Sequence, residues 1–388
     1  MKIVYILSVN WGGIPHYTAE LANAISKHAD VVVLKPEDSN DHLFLERVTV
    51  VKAFKPLHFS RQCLARAFSL SNIKSFLSYK NIKLVEAVKP DIIHFTELYP
   101  WSSIFAFFYK IWRKHPVVST LHATFKSPLH LLNGKNFPYS LLACATELTK
   151  HLVKSDAIIV HTIEDRDTLI KRGVDPRKVF VIPHGAYELF GKVKGDEGGE
   201  SEENCVLFFG YIIESKGVEY LIRAAPLILK EVPDVKVIIA GEGDLEKYIK
   251  LINDKAKFEI YNVFIPNEMV SKLYRRAKVV VLPYTYHRGQ SGVLNIARAF
   301  GKPVVVTSVG DLPKMVEDGK DGLVVPPKDP KALAEAIVKL LKDDKLRRHM
   351  GRNALRKAEE LSWDNIAKMH MRVYEEVLDA RKKLSRVR

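Results

Sequence analysis

The chain has few cysteines and no long hydrophobic run. Its three cysteines, Cys63, Cys144 and Cys205, are far apart and form neither a CxxC pair nor a zinc-binding spacing. Sparse cysteine is typical of a reducing compartment, so we expect a cytoplasmic protein. No apolar run approaches the ~18 residues that a membrane span requires. The apolar start at Met1–Val9 lacks a cleavage pattern, and we interpret it as a first strand and not as a signal peptide.

Several common catalytic motifs are also absent. The loop after the first strand contains no GxGxxG, which removes the main support for a nicotinamide dehydrogenase. The sequence has no Walker-type phosphate loop and no HExxH motif. One Asp-x-Asp occurs at Asp165–Asp167, but Thr162 just before it is typical of a helix N-cap. We therefore predict no metal site.

Acidic residues are missing from one stretch. The formal net charge is +15, and Arg47–Val85 contains no aspartate or glutamate, while its basic residues alternate with aromatic ones. Such a surface suits an anionic partner, such as a phospholipid headgroup, a lipid-linked phosphate or nucleic acid. The alternative is an amphipathic helix with a solvated basic face and its aromatic side chains in the core. No nucleic-acid-binding motif accompanies the charge, so we expect no nucleic-acid partner.

The chain does contain a regular alternation of short apolar runs and helical patterns. The runs are continuous in valine, isoleucine and leucine, as expected when both faces of a parallel sheet are covered. The strand, helix, strand order implies right-handed crossovers. The predicted strands are Lys2–Ser8, Val31–Leu34, Asp91–Phe95, Val117–Leu121, Asp156–His161, Val179–Ile182, Val206–Phe209, Lys236–Ala240, Asn262–Ile265, Val279–Pro283 and Pro303–Thr307.

A polar, glycine-rich segment divides the chain. Residues 191–204 (GKVKGDEGGESEEN) are predicted to be a linker between domains of residues 1–190 and 205–362, and a helical pattern follows over 363–388. The fold class predicted is α/β, with two Rossmann-like, doubly wound parallel-sheet domains facing a cleft. Because ligands bind at the carboxyl ends of strands in such sheets, the loops that follow strands are the candidate site.

Two loops of the first domain draw attention. Gly12 and Gly13 follow the first strand and open a helix, where backbone amides can approach a phosphate or sugar; a tight turn is the alternative. His122 follows the strand Val117–Leu121 and can donate to a sugar hydroxyl or a developing charge, although a structural histidine fits equally.

Three loops of the second domain have similar features. Gly210 closes a strand, and Lys216 follows it in a loop where an ammonium group can reach a diphosphate. Gly241 and Glu242 end another strand and leave room for a ring or ribose. The segment Arg288–Gly292 precedes a helix whose backbone amides can hold a phosphate, with Ser291 alternatively serving as its N-cap.

These pieces together resemble the retaining glycosyltransferases of family 4, which have the GT-B fold. The resemblance covers essentially the whole chain. The matching segments are WGGIPHYTAELANAIS, VVSTLHATF, VFVIPHGAYELF, VLFFGYIIESKGVEYLIRAA, VKVIIAGEGDLE, NVFIPNEMVSKLYRRAKVVVLPY and QSGVLNIARAFGKPVVVTSVGDLPKMVEDGKDGLVVPPKDPKALAEAI.

The resemblance implies roles for individual residues. His122 would contact the transferred hexose, and Lys216 would bind the donor phosphates; these two are the candidate catalytic residues. The helix over 363–388, which begins at Trp363, would cross back to the first domain. Together with the loop positions given above, the residues predicted to bind the donor are Gly12, Gly13, Gly210, Lys216, Gly241, Glu242, Ile265, Gln290, Ser291, Gly292, Val293 and Asn295.

The sequence departs from the family pattern at the donor loops. Tyr211 stands where many members carry an arginine after the strand-end glycine. Two glutamates eight residues apart are also common in the family, and Arg288 and Ile296 occupy those positions here. Gln290 and Asn295 are candidates to supply the missing hydrogen bonds.

The resemblance therefore implies a metal-independent hexosyltransferase with no cofactor, a nucleotide-diphosphate sugar as co-substrate, and a glycan or lipid-linked acceptor. The basic 47–85 region and the aromatic segment from Trp101 to Lys114 suggest a peripheral contact with the inner membrane face. For the Trp101–Lys114 segment we favour the alternative, a helix buried against the sheet. Two alternatives share the fold: a nucleotide-sugar-binding protein with weak turnover, and a nucleotide-sugar epimerase.

Overall fold

The chain forms two compact units. The computed structural model describes residues 1–10, 12–37, 41–56, 70–122, 153–187, 190, 202–287 and 289–387. The first unit comprises Met1–Pro183 together with Trp363–Arg388, and the second comprises His184–Ser362.

The change of unit comes earlier than the expected boundary after residue 190. Tyr187 and Phe190 are buried in the core of the second unit, which draws the preceding residues into it. The predicted linker lies mostly outside the described residues. Its last part belongs to the second unit, where Glu202 pairs with Lys302 at 3.0 Å and with Arg347 at 2.9 Å.

The first unit is a parallel sheet covered by helices. Its central strands, which are rich in valine and isoleucine, are buried on both faces. In chain order the elements are β1 (Lys2–Ile6), α1 (Ile14–Ile25), β2 (Asp30–Pro36), β3 (Val48–Phe54), α2 (Leu70–Ser78), a 3₁₀ turn (Tyr79–Leu84), α3 (Val85–Val88), β4 (Ile92–Phe95), α4 (Pro100–Phe108), α5 (Ile111–Lys114), β5 (Val117–Leu121), β6 (Ala157–Val160), α6 (Ile163–Lys171) and β7 (Val179–Val181).

The second unit repeats this plan. Its elements are β8 (Cys205–Phe209), α7 (Val218–Glu231), β9 (Lys236–Ala240), α8 (Glu246–Ile249), β10 (Phe258–Tyr261), α9 (Asn267–Arg276), β11 (Val279–Leu282), α10 (Gly292–Ala299), β12 (Val304–Thr307), α11 (Leu312–Met315), β13 (Gly322–Val325), α12 (Pro330–Lys342) and α13 (Asp344–Glu360).

Strand order places a switch point in each sheet. The order is β3-β2-β1-β4-β5-β6-β7 in the first unit and β10-β9-β8-β11-β12-β13 in the second, and the paired strands are parallel. The order reverses between β1 and β4, and again between β8 and β11. Ligands bind at such points in open α/β sheets, so the loops after β1 and β4 are the candidate loops of the first unit, and those after β8 and β11 are the candidate loops of the second. The predicted α/β, doubly wound fold class is confirmed.

Three strand assignments differ from the sequence analysis. The predicted strand Asn262–Ile265 is wrong: the strand is β10, which ends at Tyr261. The apolar run after it forms a loop in which Val263 and Phe264 are exposed. Two edge strands, β3 and β13, were not predicted: the middle of β3 is partly exposed and polar, and β13 has only four residues and begins with a glycine.

The last helix, α14 (Trp363–Val387), packs on the first unit. Its apolar side contributes Trp363, Ile366 and Tyr374 to the core of that unit. Arg381 fastens its far end by donating to the Trp112 carbonyl at 2.7 Å and to the Asp156 carboxylate at 2.8 Å.

Candidate functional site

In the first unit, the loop after β1 opens a helix with an uncrowded glycine. Gly12 has a φ of +72°, and a side chain there would meet no atom within 4 Å. Gly13 is the N-cap of α1, and its carbonyl accepts from the Tyr17 amide at 2.9 Å. The predicted turn and helix start are therefore both present, while Trp11 lies outside the described residues.

His122 joins three strand ends of the first unit. It follows β5 directly, and its Nε2 lies 3.0 Å from the Thr96 carbonyl oxygen in the loop after β4. Its Nδ1 lies 3.0 Å from Nε2 of His161, which follows β6. Its backbone amide donates to the buried Glu97 carboxylate at 3.2 Å.

Tyr17 of α1 covers this histidine pair. Its ring meets the His122 ring edge-on, at 4.5 Å between centroids and 87° between planes. Its hydroxyl lies 3.3 Å from His370 Nε2 on α14, and the Trp363 ring packs against it at 5.3 Å. Sequence reasoning singled out neither Tyr17 nor His161, although His161 ends a predicted strand.

A second buried polar chain crosses the same unit. The Tyr374 hydroxyl lies 3.0 Å from the Tyr5 hydroxyl and 2.6 Å from His94 Nδ1, and His94 Nε2 lies 2.8 Å from Thr120 Oγ1. Burial lowers the pKa of His94 well below its usual range and lowers the pKa of His370 to about 4. Both rings are therefore neutral at pH 7.

In the second unit, Lys216 sits where the loops after β8 and β11 meet. Its Nζ lies 3.7 Å from the centroid of the Tyr284 ring, a cation–π contact. The loops are joined by the Thr285 amide, which donates to the Ser215 carbonyl at 2.9 Å. Gly217 has a φ of +63°, and any side chain there would overlap the Pro283 carbonyl oxygen.

Two buried polar atoms beside Lys216 have no hydrogen-bond partner. Among the described residues, the Tyr284 hydroxyl and His287 Nε2 are both buried and unpaired. The two rings lie 5.4 Å apart. Burial, followed by the charge of Lys216, lowers the pKa of His287 to about 3, so the ring is neutral. Sequence reasoning missed both residues, although they follow a predicted strand.

The loops after β8 and β9 are in close contact. A side chain at Gly241 would overlap the carbonyl oxygen of Gly210, so the two strand-end glycines allow the backbones to touch. Glu242 has an exposed side chain, and its carbonyl accepts from the Ile212 amide at 2.9 Å. Ile265 has its side chain buried in the core of the unit.

The loop before α10 is the predicted phosphate cradle. Ser291 is the N-cap of α10, with its Oγ 3.4 Å from the Leu294 amide. The capping role given above as the alternative for Ser291 is therefore observed. Gly292 begins the helix with the Tyr187 ring beside it. Gln290 and Val293 are half-buried, and Arg288 lies outside the described residues.

Asn295 is fully buried and bonded inside the unit. Its amide nitrogen lies 3.4 Å from the His184 carbonyl oxygen, and its Oδ1 accepts from Arg298 at 3.2 Å. Arg298 in turn pairs with Asp321 at 3.4 Å. The side chain of Asn295 therefore fixes α10 against the start of the unit.

Two family models match the chain along most of its length. "Glycosyltransferase Family 4" matches residues 11–186, and "Glycosyl transferases group 1" matches residues 203–343. The chain belongs to the family-4-like glycosyltransferases of the GT-B fold. An uncharacterised glycosyltransferase of Methanocaldococcus jannaschii is 33% identical over 232 residues, which are 58% of this chain and 58% of that one. The match thus spans little more than half of that curated relative's length.

Solved structures of this fold superpose on nearly the whole chain. The sucrose-phosphate synthase of Thermosynechococcus elongatus has a TM-score of 0.70 at 19% identity, covering 98% of this chain and 100% of that one. The Anabaena protein HepE, solved with UDP and glucose, has a TM-score of 0.66 at 19% identity, covering 97% and 100%. These similarities confirm that this chain has the GT-B fold.

Two further observations concern the part of the chain that the structure describes. Within it, no three histidine, cysteine, aspartate or glutamate side chains are grouped so as to hold a metal ion. Among the same residues, no helix is both long enough and apolar enough to cross a bilayer.

Proposed function

We propose that this glycosyltransferase moves a hexose from a nucleotide-diphosphate sugar to a glycan or lipid-linked acceptor, with retention at the anomeric carbon. One observation carries the proposal. At the β8/β11 switch point, the Lys216 ammonium lies over the Tyr284 ring, and Tyr284 Oη and Nε2 of the neighbouring His287 are buried atoms that lack partners. Unpaired buried polar atoms are costly, and a ligand with charged and hydroxyl oxygens would pair them.

Each group has a role suited to a departing diphosphate. Lys216 supplies a positive charge to the phosphates, and the Tyr284 hydroxyl donates a hydrogen bond. Neutral His287 presents an Nε2 lone pair, which accepts from a ribose or sugar hydroxyl. The amides of Gly292 and Val293 at the start of α10 add hydrogen-bond donors and the positive end of the helix dipole.

The reaction then needs no protein nucleophile. The bond from the anomeric carbon to the diphosphate oxygen breaks, and the acceptor oxygen bonds to that carbon on the same face. The acceptor proton passes to the leaving diphosphate, whose charge Lys216 stabilises. His122 of the first unit would contact the hexose. We propose that no metal takes part, so transfer should persist in EDTA.

UDP is the first nucleotide to test, because HepE, which shares the fold, was solved with it. We would measure thermal stabilisation by UDP, GDP, ADP and their sugar conjugates. A ligand at 100 times its Kd stabilises the folded state by about 2.7 kcal/mol. Lys216→Ala should remove the shift. Lys230→Ala, an exposed lysine in the last turn of α7, should retain it. A full shift with Lys216→Ala would contradict the proposed donor site.

The internal bonding of Asn295 favours a second candidate, a nucleotide-sugar-binding protein with weak turnover. Arg288 and Ile296 occupy the two positions at which many family members carry glutamate. The side-chain amide of Asn295 is already hydrogen-bonded to the His184 carbonyl and to Arg298. Donor hydrolysis and transfer, followed by released nucleotide across an acceptor panel, distinguish the two candidates. Binding without release of nucleotide would favour the second.

The proposed acceptor is lipid-linked, with the first unit in peripheral contact with the inner membrane face. The α2–α4 patch consists of Ile73, Leu77, Phe107, Phe108 and Lys110, which are all exposed, Phe108 to 68%. The helices touch through Phe76 and Phe105, whose ring centroids are 5.5 Å apart. Apolar side chains beside lysine suit an anionic membrane surface.

The alternative, in which these two segments are buried against the sheet, holds only in part. The core contains Tyr79, Trp101 and Ile111, whereas the α2–α4 patch is exposed. Residues 57–69 lie outside the described residues. Sedimentation with anionic vesicles at low salt tests the membrane contact, with zwitterionic vesicles as the control. Replacing Phe107 and Phe108 together by serine should reduce binding. No binding of the unaltered protein to anionic vesicles would refute the membrane contact.

A further inference from the structure

The histidine pair of the first unit has hydrogen-bond geometry that two neutral rings cannot satisfy. His161 Nδ1 lies 2.8 Å from the Ile182 carbonyl oxygen, and His122 Nε2 lies 3.0 Å from the Thr96 carbonyl oxygen. Between them, His161 Nε2 and His122 Nδ1 are 3.0 Å apart. The pair thus makes a chain that begins and ends on a carbonyl oxygen.

Counting protons fixes the charge of this chain. A carbonyl oxygen only accepts, so each end requires an N–H. The central contact requires a third N–H, because two facing lone pairs at that distance repel each other. Two neutral imidazoles carry two N–H groups in total, and an imidazolium carries two by itself. The geometry is therefore satisfied when the pair holds one extra proton and a single positive charge.

We propose that His161 is a positioning residue that accepts a hydrogen bond from a doubly protonated His122, and so fixes a positive charge at the end of β5. The catalytic consequence of this arrangement rests on the function proposed above. The arrangement itself rests only on the first unit.

The surroundings assign the extra proton to His122. His161 is 3% exposed, and its burial, together with the charge of His122, lowers its pKa well below the usual range. His161 is thus the neutral partner, with its proton on Nδ1 and its Nε2 lone pair facing His122. His122 is only half-buried, and the Glu97 carboxylate lies beside its backbone amide, so a countercharge is at hand.

Among the described residues, the tyrosine and the two other histidines near the pair are uncharged. Tyr17 on α1 faces both rings, and its buried hydroxyl stays protonated because burial raises its pKa. His94 on β4 and His370 on α14 are neutral for the reason given above. Glu97, in the loop after β4, is an acid beside this pair. Its carboxylate accepts hydrogen bonds from the backbone amides of His122 and Leu98.

A doubly protonated His122 cannot serve as a general base. Its contribution to transfer would be a fixed cation and an N–H donor, both of which favour negative charge developing on the substrate. Activity should then fall as pH rises and the pair loses its extra proton. A general base would show the opposite dependence, with activity rising as the ring is deprotonated.

Nitrogen NMR of the full-length protein labelled with ¹⁵N-histidine tests the protonation directly. His122→Gln and His161→Gln identify the two rings, and His28→Gln identifies an exposed control. At pH 7 we expect both nitrogens of His122 to have the shifts of imidazolium and His161 to be the Nδ1–H tautomer. An assigned His122 with one unprotonated nitrogen at pH 7 would overturn the proposal. The measurement needs no substrate, so its result is independent of the proposed transferase activity.

Two variants test positioning by His161. Glutamine can accept from His122 through its amide oxygen and donate to Ile182, whereas leucine can do neither. His161→Leu should remove the imidazolium signature of His122, and His161→Gln should retain it. Once a donor and acceptor are known, His161→Leu should lower kcat about tenfold with little change in donor KM, a loss of about 1.4 kcal/mol in transition-state stabilisation. An unchanged His122 signature in His161→Leu would overturn the positioning role.

Discussion

The two units have the same order of strands around the switch point, but different kinds of residue lie at the carboxyl ends of those strands. In the first unit, the switch region is occupied by histidines and tyrosines that bond one another, such as His122 with His161 and Tyr374 with His94. In the second unit, the corresponding region consists of glycine-rich backbone, Lys216, and two polar atoms without partners.

The difference suggests a division of labour. Side chains that bond one another in this way are held in place before any ligand arrives, which suits groups that must be oriented, although Ser8 Oγ after β1 is also buried without a partner among the described residues. Unpaired buried atoms cost about 1–3 kcal/mol each in the free protein. A ligand that pairs them recovers this cost on binding. The second unit is therefore expected to gain more stability from a ligand than the first.

The largest effect should come from the crowded glycine of the second unit. Gly217→Ala places a side chain on the Pro283 carbonyl oxygen at positive φ, and should destabilise the protein by about 3 kcal/mol or more. Gly12→Ala in the first unit meets open space, and should cost only the backbone strain of about 1 kcal/mol. Urea unfolding measures both. Equal losses would show that the two glycine loops are equally constrained.

The free energy of unfolding should fall in acid because of one histidine in each unit, His370 and His287. Folded His370 has its pKa lowered to about 4, so below pH 6.5 the unfolded chain binds protons that the folded ring does not. Stability is therefore full above pH 6.5 and falls by about 3 kcal/mol as pH drops to 4. His287, with its pKa lowered to about 3, contributes a loss of the same sign.

Replacing each histidine by glutamine separates the two contributions. Either change should flatten the acid loss measured by urea unfolding between pH 7 and 4. At pH 7, His370→Gln should also destabilise, because both ring nitrogens have partners, Tyr17 and the Ile366 carbonyl. His287→Gln should cost less at pH 7, because Nε2 is unpaired. The reverse order at pH 7 would contradict the comparison.

Two tyrosines offer a matched test of intermediate size. Tyr374→Phe leaves the Tyr5 hydroxyl and His94 Nδ1 without a partner, and should destabilise by about 2 kcal/mol. Tyr284→Phe removes an unpaired hydroxyl and should leave the free protein equally or more stable, by up to about 1 kcal/mol. The same variant should weaken donor binding in the thermal-shift assay. Destabilisation of the free protein by Tyr284→Phe would mean that its hydroxyl has a partner.

The smallest effects should come from the two helix caps at strand-end loops. Thr162 caps α6 of the first unit by accepting from the Asp165 amide at 3.1 Å, and Thr162→Ala should cost about 1 kcal/mol. Ser291 caps α10 with a longer contact of 3.4 Å, and Ser291→Ala should cost about 0.5 kcal/mol. Thermal unfolding followed by circular dichroism measures both. A larger loss for Ser291→Ala would indicate that its hydroxyl has a further partner.

Much of the fold was predictable because central strands carry a local signal. The continuous apolar runs at Val117–Leu121 and Lys236–Ala240 match β5 and β9. The edge strands β3 and β13 were not predicted, since β3 is partly exposed and β13 is short. The apolar run around Val263 was wrongly predicted to be a strand, because apolar composition alone does not show whether a segment pairs with a neighbouring strand.

The candidate site was predictable only as far as loops after strands. Lys216 and His122 could be found because motifs carry them. Their partners could not, since contacts such as Lys216 with Tyr284, or His122 with His161, join residues far apart in sequence. Burial is equally invisible: Asn295 has a suitable side chain for a donor site, but it is enclosed by His184 and Arg298.

The return of α14 to the first unit sets an order of events during synthesis. All of the second unit, up to Ser362, leaves the ribosome before the helix that completes the first. Until Tyr374 and His370 emerge, Tyr5, Tyr17 and His94 lack their bonded neighbours. The half of the protein that is translated first is therefore expected to finish folding last, and a released chain truncated after Ser362 should protect the second unit from protease better than the first.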